Sequence, residues 1–152
     1  PIGKRGLAGD RWNTWGIMGQ DDNTSLADRV EECNRNSVVG IIVESPKGLD
    51  HLEEMLDVPE VDFVFVAPTD LSANLGLHGQ IRHPKVLELV EQAGRQIQNA
   101  GKGAGTLALS SQDYQYWRDR GFTILCSVAH NFFINGAQQW IKSVADIENS
   151  KQ

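Results

Sequence analysis

One stretch, VDFVFVAPTDLSANLG from Val61 to Gly76, constrains the fold more than any other in this chain. Its opening residues, Val61 to Val66, are rich in β-branched and aromatic side chains and stop at Pro68, which cannot donate to a β-ladder. A near-continuous apolar run of this length reads as a strand buried on both faces. That is the signature of a parallel sheet flanked by helices, not of a half-exposed antiparallel hairpin. In such sheets the functional groups gather at the carboxyl ends of the strands. Thr69 and Asp70 are expected there, so the strand would deliver a carboxylate to that edge.

A second stretch has the same form. Val38 to Val43 is apolar apart from Gly40, and Glu44 follows it before Ser45, Pro46 and Gly48 break the strand. Asp70 lies 26 positions after Glu44, room for one crossover helix and one further strand. The two acids are therefore expected side by side. Adjacent strands are about 4.7–4.9 Å apart, and carboxylates so placed repel unless a proton or cation lies between them. Read from the residues alone, the occupant is a divalent cation, Mg²⁺ or Mn²⁺, with water completing an all-oxygen shell. The competing reading pairs one acid with Lys47 or Arg11 and leaves the other to cap a helix.

The 152 residues suit one domain, and the net charge of −6 argues against nucleic acid or an acidic membrane surface as partner. There is no apolar run of bilayer-spanning length, no stretch of these residues reads as a signal peptide, and Cys33 and Cys126 lack metal-ligand spacing. Reduced thiols and a cytoplasmic location follow as expectations. The chain starts at Pro1 rather than a methionine, which fits a piece of something longer.

In chain order, Pro1 to Gly19 is too glycine-rich for a regular element and reads as a loop carrying Arg5, Arg11, Trp12 and Trp15. Asp21 to Asn36 reads as a helix capped by Thr24 or Ser25, and the first strand runs from Val38 to Glu44. Pro46 opens a helix with Leu49, Leu52, Met55 and Leu56 on its apolar face. After the strand at Val61 to Val66, Asn74 to His83 reads as a loop, with His78 and His83 solvated. Pro84 starts a long helix, Gly103 to Leu109 forms a third strand, and Ser110 or Ser111 caps a helix closed by Gly121. A fourth strand over Phe122 to Val128 and an apolar final helix with Phe132, Phe133 and Trp140 complete the order. Strands alternating with helices mean a parallel α/β sheet.

These residues, taken as a set, resemble the HpcH/HpaI aldolase and citrate lyase family. The resemblance is carried by PxGxRG at Pro1 to Gly6, Arg11 with Trp12 and Asn13, a strand ending in Glu44, LDVPEVDFVFVAPTDLSANLG from Leu56, the HP pair at His83, and GKGAGTLAL from Gly101. It implies a parallel (βα)4 half of a TIM-type (β/α)8 barrel. Residues 1–152 would form one domain, with 1–37 leading in and 38–152 supplying four βα units. It also implies a divalent-metal-dependent aldolase that forms or cleaves a carbon–carbon bond of a 2-oxo acid through a pyruvate enolate, of the 4-hydroxy-2-oxo-acid or 2-dehydro-3-deoxyglucarate type. On that resemblance Glu44 and Asp70 hold the metal, Thr69 and Asp70 meet the pyruvate carboxylate, and Leu107 lines the pocket.

The family's catalytic histidine and carboxylate-binding arginine have no counterpart among the aligned residues, so base and arginine are expected from the other half of the barrel. The sequence departs from the family pattern at Ile42, at Ala67 and at Ser127 to Ala129. These departures motivate the alternative of a non-catalytic binding or assembly module. Either way the two outer strands need covering. The cover would be the missing half-barrel or a second copy docked through the last helix.

Overall fold

The computed structural model describes residues 25–150. The loop carrying Arg5, Arg11, Trp12 and Trp15 lies outside the described residues, as does the start of the helix expected from Asp21. The elements run α1 (Leu26–Asn36), β1 (Gly40–Val43), α2 (Pro46–Asp50), α3 (Leu52–Leu56), β2 (Phe63–Val66), α4 (Pro68–Asn74), α5 (Pro84–Asn99), β3 (Gly103–Leu107), α6 (Ser111–Arg118), β4 (Ile124–Cys126) and α7 (Ala129–Asn149). The strands form one parallel sheet in the order β1-β2-β3-β4. This is the α/β alternation that the hydrophobic pattern requires.

Each helix starts for an identifiable local reason. The Ser25 hydroxyl accepts the Asp28 N–H at the head of α1, Ser45 accepts that of Gly48 before α2, and Ser110 accepts that of Asp113 before α6. Pro46, Pro68 and Pro84 each occupy the first turn of a helix, where their missing N–H costs nothing. His83 is not simply solvated: its Nδ1 accepts the Lys85 N–H at 3.2 Å and caps α5.

The register explains which side of the sheet is the core. Val64, Val66, Ala104 and Thr106 point one way and are buried, meeting Val86, Val90, Ala93 and Ile97 from α5. The other face carries Ile42, Phe63, Phe65, Leu107, Ile124 and Cys126, paired across the strands as Ile42↔Phe65, Phe65↔Gly105↔Ile124 and Leu107↔Cys126. Phe65 spreads over glycine on the next strand: a Cβ at Gly105 would stand 3.0 Å from its Cδ2. The thinness of the third strand therefore accommodates aromatic rings from the second. On this face Ile42 is 65% exposed, as expected of a barrel interior presented by part of the barrel.

Several boundaries move. The first crossover is two short helices that meet at His51, not one. The third strand stops at Leu107 instead of Leu109, and the fourth is reduced from Phe122–Val128 to Ile124–Cys126. Phe122 belongs to the core instead, tilted against Trp117 with ring centroids 5.0 Å apart. α7 buries none of its residues, and Phe132, Phe133, Trp140 and Ile141 are all exposed.

Candidate active site

The site is built where β1 and β2 end together. Val43 pairs with Val66, and the Val43 carbonyl accepts the Ala67 N–H at 2.9 Å, so the two chains stay in register one residue past the last strand pair. Glu44 leaves from that edge. On β2 the chain turns at Ala67 straight into α4, a helix that sequence reasoning reads as strand end and loop. Thr69 and Asp70 therefore stand in the first turn of a helix and not on the strand itself. The cause is Pro68: it ends the ladder, and its fixed φ is also suited to a helix start. The N–H groups of Thr69 and Asp70 precede the first backbone bond of that helix, from the Leu71 N–H to the Ala67 carbonyl at 3.0 Å.

Three polar groups hold this corner. Thr106, fully buried on β3, donates its hydroxyl to the Val66 carbonyl at 3.0 Å and fixes the end of β2. Ser72, also fully buried, donates to the Thr69 carbonyl at 2.7 Å and accepts the Gly79 N–H at 3.2 Å, tying the first turn of α4 to the loop beyond it. The third is Asn74. Its amide nitrogen donates to the carbonyl of Glu44 and to that of Asp70, both at 3.0 Å.

Both Glu44 and Asp70 are exposed, and among the described residues neither carboxylate has a hydrogen-bond or ion-pair partner. Ser45, and not Glu44, caps α2. The described residues contain no group of three or more His, Cys, Asp or Glu side chains placed to hold a metal. Two carboxylates suit the donor set of a cation that keeps several waters, as Mg²⁺ does, better than a closed protein cage. Leu107 and Pro68 line a cavity of about 240 Å³ together with Ile81, Leu87, Trp117 and Arg82, which pairs with Asp113 at 2.5 Å; Glu44, Thr69 and Asp70 are not among the lining residues. Of the other histidines, His51 bonds Glu54 at 3.3 Å, while His78 and His130 are exposed.

A profile of the HpcH/HpaI aldolase/citrate lyase family matches residues 8–128. The chain belongs to that family. It is 37% identical over 112 residues to the 2-keto-3-deoxy-L-rhamnonate aldolase of Escherichia coli K12, covering 72% of this chain and 39% of that protein. Among solved structures, an HpcH/HpaI family protein from Burkholderia cenocepacia superposes with a TM-score of 0.72 at 29% identity, over 78% of this chain and 46% of that one. The HpcH/HpaI aldolase of Desulfitobacterium hafniense gives 0.70 at 27%, over 80% and 48%. The chain thus spans about 39% of the length of the curated relatives it matches, and these barrel neighbours extend well beyond it.

Sequence reasoning missed Asn74 as a site residue. The available signal was its spacing: four residues after Asp70 is one helical turn, but that counts only once α4 is recognised as a helix.

Proposed function

We propose that this HpcH/HpaI family chain supplies the metal-binding portion of an aldolase that makes or breaks a carbon–carbon bond of a 2-oxo acid. Glu44 and Asp70 are the protein ligands, and a Mg²⁺ or Mn²⁺ ion held there supplies Lewis-acid polarisation of a keto oxygen. The N–H groups of Thr69 and Asp70, at the positive end of α4, receive the pyruvate carboxylate. Leu107 and Pro68 form the apolar wall beside it. The single observation that carries the reading is the Val43–Val66 register with the Asn74 bridge, which brings Glu44 and Asp70 to one edge with neither carboxylate engaged among the described residues.

The substrate class is a 2-keto-3-deoxy sugar acid or a related 4-hydroxy-2-oxo acid, cleaved to pyruvate and an aldehyde. The name of the rhamnonate relative supports this assignment. The base and the carboxylate-binding arginine come from the rest of the barrel, which residues 1–152 complete as its C-terminal part. That remainder, or a second copy engaged through α7, covers the exposed face at Ile42 and the apolar residues of α7. No helix among the described residues is long and apolar enough to cross a membrane.

Metal linkage tests the reading. A ligand that binds only the folded form stabilises it by about 2.7 kcal/mol at a hundred times its dissociation constant. Mn²⁺ or Mg²⁺ therefore raises the melting temperature, and Glu44→Gln with Asp70→Asn abolishes the rise. An undiminished rise in the double variant rejects the site.

A further inference from the structure

We infer that Asn74 is a positioning residue that sets the separation of Glu44 and Asp70 by donating both protons of one amide nitrogen, one to each main-chain carbonyl. The inference rests on the reading of those two acids as metal ligands, and it adds a residue that contacts neither the cation nor the substrate. The geometry is specific. Nδ2 of asparagine carries two N–H donors, and here each has its own acceptor at 3.0 Å. The two carbonyl oxygens are thereby held no further apart than twice that distance.

The two bonds are unequal in what they do. The bond to Asp70 stays within α4, one turn back along the helix. That to Glu44 crosses 30 positions of sequence, from the last residue of α4 to the residue just past β1. At its other end α4 is anchored to β1 by the Ala67 N–H on the Val43 carbonyl. A helix of seven residues is about 10 Å long; the Ala67 bond, the Ser72 bonds and the burial of Pro68 and Leu71 fix its first turns, which leaves its last residue, Asn74, to be tied to the end of β1. The Asn74 bridge pins the far end. With both anchors in place, the turn bearing Asp70 has one orientation relative to Glu44.

Few side chains satisfy these constraints. Serine carries one donor, aspartate none, and leucine has the same branching at Cγ without a polar atom. Groups that orient ligands without touching the metal are typically worth 10–100-fold in affinity. Asn74 is exposed, and alanine is a better helix former than asparagine, so its loss costs the metal-free fold little.

The experiment uses purified protein, Mn²⁺ as the probe, and the variants Asn74→Ala and Asn74→Leu. Free Mn²⁺ is followed by electron paramagnetic resonance, and melting is recorded in chelator. The expected result is a Kd for Mn²⁺ raised tenfold or more in both variants, with metal-free melting temperatures within about 2 °C of the parent. Parent affinity in both variants overturns the positioning role while leaving the metal site intact. A loss of affinity accompanied by a matching fall in metal-free melting also overturns it, because the residue would then be a general support of the fold. A parent protein that binds no Mn²⁺ removes both the site and the inference.

Discussion

Gly94→Ala tests the packing on which the sheet rests, because two well-known effects oppose one another there. Gly94 lies mid-way along α5, where alanine is favoured over glycine by about 1 kcal/mol. The structure assigns the opposite sign. A Cβ at Gly94 would stand 2.6 Å from Cε2 of Phe122, closer than carbon atoms approach without displacement. The Phe122 ring is 1% exposed and rests against Trp117, itself buried, so it has no open space into which to retreat. Overpacking of this kind costs about 1–3 kcal/mol. Set against the helix preference, the net is a loss of about 1 kcal/mol, or about 2–4 °C in melting temperature.

Phe122→Leu supplies the control. It shortens the obstructing side chain, so in that background Gly94→Ala turns stabilising and approaches the helix-propensity gain of about 1 kcal/mol. The double-mutant cycle then shows a coupling of about 2 kcal/mol. Urea denaturation of the four proteins measures it. An alanine that stabilises the parent, or a coupling near zero, would refute the argument that Phe122 excludes a side chain at position 94.

Two further outcomes follow from polar contacts. The hydroxyl of Tyr116 donates to Glu91 at 2.5 Å and, with Arg120 at 2.8 Å, holds the Glu91 carboxyl below its usual range despite the opposing effect of burial. A depressed carboxyl pKa contributes stability above the unfolded value of about 4.5 and loses it as pH falls through the folded value. In Tyr116→Phe the largest cause of that depression is gone. The fall in stability from about pH 5 to pH 3, followed by the urea midpoint, is therefore shallower than in the parent; an equally steep fall would show that the contact does not control Glu91. Ser72→Ala removes the bonds to Thr69 and Gly79 from a fully buried site and costs about 1–2 kcal/mol by urea denaturation. A cost below about 0.3 kcal/mol would mean that Ser72 does not hold the first turn of α4.

The parallel α/β order was legible because each strand is a short apolar run bounded by a proline, glycine or serine signal; of the caps left open between neighbours, Ser25 and Ser110 are the ones used, and Ser45, read as a strand breaker, caps α2. The ends were less so. Phe122 continues the apolar pattern of β4, yet its ring packs against Trp117 and leaves the ladder to begin at Ile124. α4 escaped notice for a different reason. Pro68 stops a strand and starts a helix with equal facility, and local sequence does not separate the two.

What the sequence determined unaided is the pattern: apolar runs separated by helical periods, which admit a parallel sheet and place Glu44 and Asp70 near strand ends. Hydrophobic burial favours this, since the parallel sheet hides Val64, Val66 and Ala104 against one long helix. Tertiary structure alone decided how the two acids are held. The Asn74 bridge joins residues 30 positions apart, and a hydrogen bond of about 3 Å exists only once the strands have fixed their register and α4 has turned back over them. Contacts of that range follow from closure of the fold, which no local spacing encodes.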